Sequence, residues 1–344
     1  MNEMTYTRLG QSGLIVSRLA LGTMTFTYGS DWIPGVAKVG ETEARRMVDT
    51  AFESGVNLFD TADGYSNGEA ETIFGKSLAG KREKAVICTK IGFRNSDHIP
   101  DAGLSRSQIF QQVEKSLTRL NTDWIDLLVL HKTDFTTPLE ETLRTLQALI
   151  DSGKVRYIGC SNWPAWQVAR AIQFQRDNGM DQFIAGQYLY NAVARDIESD
   201  ILKMADAMGL SLMAWSPLAA GLLTGKYDLS KPDQGEGRLA EGDFLQISPQ
   251  HAQSVLAAVS AVAEAHNATS AQIALAWILN KRRDHTVIIG ANKQSQLEAS
   301  LAAASLTLSQ AEIDAIDGAT TPARRYPAWF DDMMTDELHT KVLS

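Results

Sequence analysis

Three apolar runs in this chain each end in a titratable side chain, and a phenol follows the first of them. Val56-Asn57-Leu58-Phe59 ends in Asp60, with Tyr65 five residues on. Val86-Ile87-Cys88-Thr89 ends in Lys90, and Ile125-Asp126-Leu127-Leu128-Val129-Leu130 ends in His131. An acid, a phenol, an ammonium and an imidazole brought together can deliver a proton to an oxygen that is gaining negative charge. A phenol, with a reference pKa of about 10, is a poor acid at neutral pH, and a neighbouring ammonium favours its phenolate and lowers that value. Lys90 is the candidate ammonium and Asp60 the carboxylate that keeps it charged and in place. Tyr65 is the candidate acid, and His131 orients a carbonyl oxygen beside it or assists the proton relay. The reaction that calls for this set is carbonyl reduction, with the hydride carried by a nicotinamide cofactor. Taken singly, each residue has a plainer reading. Asp60 could cap the next helix, Tyr65 could be packing, Lys90 could form a Schiff base, and His131 could be a hydrogen-bonded structural residue. Their conjunction at successive run ends favours the catalytic reading.

For these side chains to meet, the runs must be parallel strands of a closed barrel, whose C-terminal ends converge on one face. The chain supports that reading. Strands at 17–22, 56–60, 84–90, 125–131, 155–161, 182–188, 210–216 and 285–289 alternate with helices from about 41, then 69–79, 105–120, 139–152, 164–177, 197–208, 250–266, 270–281 and 294–303. The middle strands are short unbroken apolar runs, the pattern of strands covered on both faces. Eight such units across 344 residues predict a single (β/α)8 TIM barrel domain over residues 1–344. A hairpin over 5–16, turning at Gln11-Ser12-Gly13, precedes it and is positioned to close the barrel bottom. Residues 217–247 form a long irregular segment after the seventh strand, and a segment of that length is usually functional or mobile. A tail from Pro322 carries Tyr326, Trp329 and Phe330, which either cover a pocket mouth or pack on the surface.

A net charge of −9 argues against non-specific binding to nucleic acid or anionic membrane, both of which want a basic patch. It leaves room for an anionic cofactor, which needs a few local cations and helix N-termini. No dinucleotide-binding G-x-G-x-x-G, P-loop, H-E-x-x-H or G-x-S-x-G motif occurs. Cys88 and Cys160 lie in apolar runs and read as buried thiols of a reducing compartment, not metal ligands. The N-terminus lacks the features of a signal peptide, and no run nears the roughly 18 apolar residues of a membrane span. A cytoplasmic protein without a metal is the expectation.

The chain resembles the aldo-keto reductase family over nearly its whole length. The resemblance is carried by Asp60-Thr61-Ala62 with Tyr65, Gly68-Glu69-Ala70-Glu71, Thr89-Lys90, Leu130-His131, Gly153 through Asn162, Gln187-Tyr188, Trp215-Ser216-Pro217-Leu218 and Ile289-Gly290-Ala291, in that order. It implies an NADP(H)-linked reductase of aldehydes and ketones on a (β/α)8 barrel, with Tyr65 as general acid. By the same resemblance Ser161, Asn162 and Gln187 hold the nicotinamide carboxamide, and Trp215 stacks on the ring. Ser216, Leu218 and the stretch from Gly221 to Lys226 cover the pyrophosphate, and Gly290, Asn292, Lys293, Gln296 and Ser300 meet the adenosine end. Arg195 and Glu198 match a structural pair.

The adenosine end departs from the family pattern. Asn292-Lys293 follows Gly290-Ala291 where the family often has Arg or Ser, and Ala299-Ser300 stands where it usually has Glu-Asn. Lys293 is the residue left to meet a 2′-phosphate, so NADPH is the expected cofactor and NADH remains possible. Trp32, Phe93, Trp163, Tyr326, Trp329 and Phe330 are substrate-contact candidates by position, and substrate choice in this fold belongs to its loops. Two alternatives stand beside the reductase: an NAD-dependent dehydrogenase of sugars or alcohols, and a cofactor-binding regulatory subunit such as the channel-associated branch of the family. The oligomeric state stays open.

Overall fold

Side chains along a strand alternate between its two faces. In a closed barrel one set points into the lumen and the other toward the surrounding helices. The computed structural model of the chain, which describes residues 4–30, 35–227, 248–320, 322, 326–334, 336, 338 and 341–342, has this arrangement. The barrel strands are β3 (Leu19–Gly22), β4 (Leu58–Asp60), β5 (Val86–Ile91), β6 (Ile125–Leu130), β7 (Val155–Ser161), β8 (Phe183–Leu189), β9 (Ser211–Trp215) and β10 (Thr286–Ile289). All neighbours are parallel, and β10 closes on β3. Ala20, Leu58, Cys88, Leu127, Val129, Ala185, Met213 and Ile288 form the lumen core. Leu21, Phe59, Ile87, Leu128, Leu130 and Ile289 belong to the outer layer against the helices.

Helices α1 (Glu41–Glu53), α2 (Glu69–Ser77), α3 (Arg106–Leu120), α4 (Leu139–Asp151), α5 (Ala165–Asp177), α6 (Ile201–Met208), α7 (Pro249–Ala265), α8 (Ser270–Lys281) and α9 (Gln294–Leu301) follow the strands. They are succeeded by α10 (Gln310–Gly318), which sequence periodicity did not reveal, and α11 (Ala328–Met333). Several expected boundaries move. The helix expected over 197–208 begins as a 3-10 turn, Asp196–Glu198, with α6 starting at Ile201. Pro164 is the N-cap of α5 and not a residue of its first turn. Arg82–Lys84 forms a 3-10 turn ahead of β5. Ser17 ends a hairpin strand, and the barrel strand starts at Leu19.

The hairpin pairs β1 (Tyr6–Arg8) with β2 (Ile15–Ser17) in antiparallel register. It closes the barrel bottom. Leu9 is fully buried among the lumen residues, the Gly10 amide donates to Ser211 Oγ at 2.7 Å, and the Gln11 amide donates to the Gly209 carbonyl at 3.2 Å. Gly10 has φ +59°, and a Cβ there would stand 2.3 Å from the Ile184 carbonyl oxygen. No other residue fits this contact unstrained. With the bottom sealed, the open end of the lumen is the C-terminal face. Among the described residues no helix is long and apolar enough to cross a membrane.

Candidate active site

The lumen register explains the site. Asp60 follows Leu58 by two residues, Lys90 follows Cys88, and His131 follows Val129. Each therefore continues an inward-facing row, one layer above the apolar core. Lys90 has no exposed surface, and its Nζ donates to Asp60 Oδ2 at 2.7 Å, to the Thr61 carbonyl at 2.8 Å and to Tyr65 Oη at 3.0 Å. Tyr65 reaches in from a 3-10 turn, Tyr65–Gly68, in which Ser66 and Asn67 have φ of 48° and 56°. That left-handed backbone is disfavoured for residues with a Cβ, and such strain persists where surrounding contacts over-determine it. Here Ser66 Oγ donates to the Phe26 carbonyl at 2.9 Å and Asn67 Nδ2 to Ser30 Oγ at 3.2 Å. Glu71, fully buried on α2, takes hydrogen bonds from Thr89 Oγ1 and Arg119 Nε, which fixes α2 against β5 and α3.

The charges settle as the geometry dictates. Burial opposes the Lys90 charge, the attraction of Asp60 acts against burial, and the net direction is upward, so the ammonium is held above its ordinary pKa. Burial raises the Tyr65 phenol, Lys90 draws it down, Asp60 pushes it up, and the net direction is upward. The expectation that Lys90 brings the phenol below its ordinary value is thus corrected: desolvation outweighs the ammonium, and Tyr65 stands protonated. Burial, and secondarily Lys90, drive the His131 imidazole well below its usual range, so it is neutral at neutral pH. Its ring lies 5.9 Å from that of Tyr65 and 4.3 Å from that of Phe93.

Above this layer lies a cavity of about 1210 Å³. Asp60, Tyr65, His131 and Phe93 line one part of it, with Ser161, Asn162, Gln187 and Trp215 beside them. Trp215 Nε1 donates to Asn162 Oδ1 at 3.1 Å, and Asn162, with φ 60°, also donates from Nδ2 to Ser161 Oγ at 2.9 Å. Gln187 Nε2 donates to Asp60 Oδ1 at 2.8 Å, a contact the sequence reading did not anticipate. Ser216, Leu218, Gly221 and Lys226 line the next stretch, and Gly290, Asn292, Gln296 and Ser300 the far one.

Other candidates fall elsewhere. Lys293 is exposed at the N-cap of α9 and does not line the cavity. Trp163 is corrected from the substrate-contact expectation: it is 2% exposed and packs edge-on against Phe183 behind the barrel wall. Trp329 is half exposed and touches Tyr326 and Phe330, away from the cavity lining. Trp32, and most of the expected segment 217–247, lie outside the described residues. Arg195 grips Glu198 through two nitrogens and donates to the Asp317 carbonyl, as a structural pair would. Sequence reasoning missed Gly22 at the end of β3, Met24 and Thr25 beyond it, the α8 N-cap Thr269, and Ala271 and Leu275 of α8, all of which line the cavity. The signal for α8 was present: Thr269 and Gln272 form a capping box. Among the described residues no group of three or more His, Cys, Asp or Glu could hold a metal.

The residues present fit a nicotinamide dinucleotide. Its carboxamide needs donors and acceptors, which Ser161 and Asn162 offer. Its flat ring needs an aromatic face, and half-buried Trp215 has one in the lining. Its diphosphate needs positive charge, which Lys226 and the N-terminus of α8 at Thr269 and Ala271 supply. Asn292 Oδ1, buried beside the far end without a partner among the described residues, is an acceptor awaiting a donor.

A parallel barrel with a lysine-bridged acid and phenol beneath a cavity of this chemistry defines an oxidoreductase class, and comparison with known proteins agrees. The chain belongs to the aldo/keto reductase family, whose model matches residues 18–321. That membership implies NAD(P)H-dependent reduction of carbonyl compounds. An aldo-keto reductase of Metarhizium robertsii is 33% identical, covering 94% of this chain and 92% of its own. The versiconal hemiacetal acetate reductase of Aspergillus parasiticus is 32% identical, covering 94% and 99%. A Schizosaccharomyces pombe protein provisionally named as a voltage-gated potassium channel beta subunit is 34% identical, covering 84% and 85%.

Proposed function

We propose that this chain is an NADP(H)-dependent reductase of aldehydes or ketones, with Tyr65 as the proton donor. The observation that carries the reading is the 3.0 Å hydrogen bond from the buried Lys90 ammonium to the Tyr65 hydroxyl, on the floor of the cavity. A bound nicotinamide supplies the hydride. The chain's own residues do the rest. Ser161, Asn162 and Gln187 hold the carboxamide and Trp215 faces the ring, Lys226 offsets phosphate charge, and Asn292, Gln296 and Ser300 hold the adenosine end. Neutral His131 donates one N–H to the substrate oxygen and orients it toward Tyr65. As negative charge grows on that oxygen, the phenol proton passes to it, and Lys90 stabilises the phenolate left behind. Phe93 bounds the substrate side.

A second reading, an NAD-linked dehydrogenase of sugars or alcohols, draws on Lys293, which stands off the cavity lining at the adenosine end. A cofactor-binding regulatory role draws on the Schizosaccharomyces relative alone. Two free, buried cysteines support a reducing, cytoplasmic setting. Titration of the protein with NADPH and with NADH, followed by tryptophan fluorescence, separates the cofactors. Strong quenching by NADPH and weak quenching by NADH is the expected result. The reverse preference overturns the NADP assignment, and no response to either overturns the cofactor assignment itself.

A further inference from the structure

We propose that Gln187 is a positioning residue for the proton donor: its side-chain amide spans the barrel to fix Asp60, and through Asp60 it fixes Lys90 and Tyr65 in one geometry. This role rests on the reading of Tyr65 as the donor and adds a residue that acts on it at two removes. In the closed barrel β4 and β8 lie on opposite walls, four strands apart in either direction. The bond from Gln187 Nε2 to Asp60 Oδ1, at 2.8 Å, is therefore a strut across the top of the lumen between residues 127 positions apart in the chain. Both side chains are almost fully buried.

The chemistry leaves one arrangement. Asp60, paired with the Lys90 ammonium, can only accept, so the Gln187 nitrogen faces it and the amide oxygen is turned away. Asp60 is then held at both oxygens, Oδ1 by Gln187 and Oδ2 by Lys90. Without the amide the carboxylate is freer to rotate, and a rotation pulls on the ammonium that touches the phenol. Removing the amide also leaves Asp60 less neutralised, which disfavours charge on Tyr65. Among the described residues Lys90, Asp60 and Cys88 act on that charge, and the His131 ring lies edge-on to the phenol. Because Gln187 also lines the cavity, a cavity ligand that takes its amide competes with Asp60 for it.

The test is a 19F NMR titration of protein labelled with 3-fluorotyrosine, whose phenol titrates lower than that of tyrosine. The Tyr65 resonance is assigned among the 8 tyrosines by its loss in Tyr65→Phe. Gln187→Met removes the donor and keeps the length, and Gln187→Glu keeps the shape and, once ionised at the high pH where the phenol titrates, replaces the donor by an acceptor. Both variants should lower the Tyr65 ionisation constant by about threefold to tenfold, with Gln187→Glu showing the larger change. An unmoved or increased constant in a folded variant overturns the proposal, whatever happens to the melting temperature. The unsubstituted protein decides if neither variant folds: Gln187 side-chain amide protons that exchange as fast as those of a free glutamine also overturn it. None of these readouts needs turnover, so a failure of carbonyl reduction in the unsubstituted enzyme is seen separately.

Discussion

Replacing Lys90 by methionine isolates what the buried ion pair contributes. Lys90 and Asp60 have side chains 0% and 3% exposed. In Lys90→Met the Asp60 carboxylate stays buried with the Gln187 amide and the weak Cys88 thiol as its remaining hydrogen-bond donors, while the Thr61 carbonyl and the Tyr65 hydroxyl each lose the ammonium. Removing one member of a buried pair costs about 3–5 kcal/mol, because it strands the other charge. A domain's whole stability is about 5–15 kcal/mol, so this variant sits near the edge of folding. Removing both charges, as Asp60→Leu with Lys90→Met, takes away two desolvation costs. It recovers most of the loss, less roughly 1–3 kcal/mol for the Gln187 amide left without its acceptor. Urea unfolding followed by circular dichroism, run on both single variants and the double, gives the coupling energy, and about 2 kcal/mol or more is expected. All three variants should lack carbonyl reduction. The ion pair then belongs to the chemistry, since a stable fold survives without it. A Lys90→Met loss under about 1 kcal/mol, or a double variant as unstable as the summed singles, refutes this reasoning.

Asp63, buried beside the site with its carboxyl raised to about 7 by burial and by Glu71, keeps its proton in the folded chain where the unfolded chain releases it. The stability this lends is present at low pH and is lost as pH rises from about 4 to about 7. Asp63→Asn should therefore gain on the unsubstituted protein across that window, by at most roughly 4 kcal/mol, and a pH-independent difference contradicts it. His285 behaves with the opposite sign: burial holds its imidazole down to about 4, so the folded chain resists a proton that the unfolded chain takes up below about 6.5. Stability is lost as pH falls from about 6.5 to about 4, and His285→Asn should remove that acid sensitivity from the unfolding curve. Gly10→Ala combines a left-handed φ of +59° with a 2.3 Å approach to the Ile184 carbonyl. It should cost roughly 2–5 kcal/mol in urea unfolding, and a near-neutral effect would show that the hairpin does not seal the barrel.

The strand-end row was legible because alternation and chain order both survive in sequence: Leu58 to Asp60, Cys88 to Lys90 and Val129 to His131 each step by two along a strand. What was not legible came from places where that parity stops or where the barrel closes. Ser161 is inward and Cys160 outward. Asn162 then turns left-handed, and Trp163 is thrown back onto Phe183 while Trp215, still within its strand, faces the cavity. The Gln187–Asp60 strut joins opposite walls, a contact no local pattern encodes. The sign of the Tyr65 shift depends on how deeply the phenol is buried, which residue types alone do not give. Lys293 was expected at the adenosine end from its neighbours in sequence, but as the N-cap of α9 it is exposed and stands off the cavity lining.

NADPH consumption against a panel of aldehydes and ketones, with the unsubstituted protein and Tyr65→Phe compared at saturating cofactor, decides whether Tyr65 is the proton donor. The unsubstituted protein should turn over and Tyr65→Phe should not, with the fluorescence titration by NADPH unchanged between them. Turnover retained in Tyr65→Phe would contradict the assignment of the proton donor.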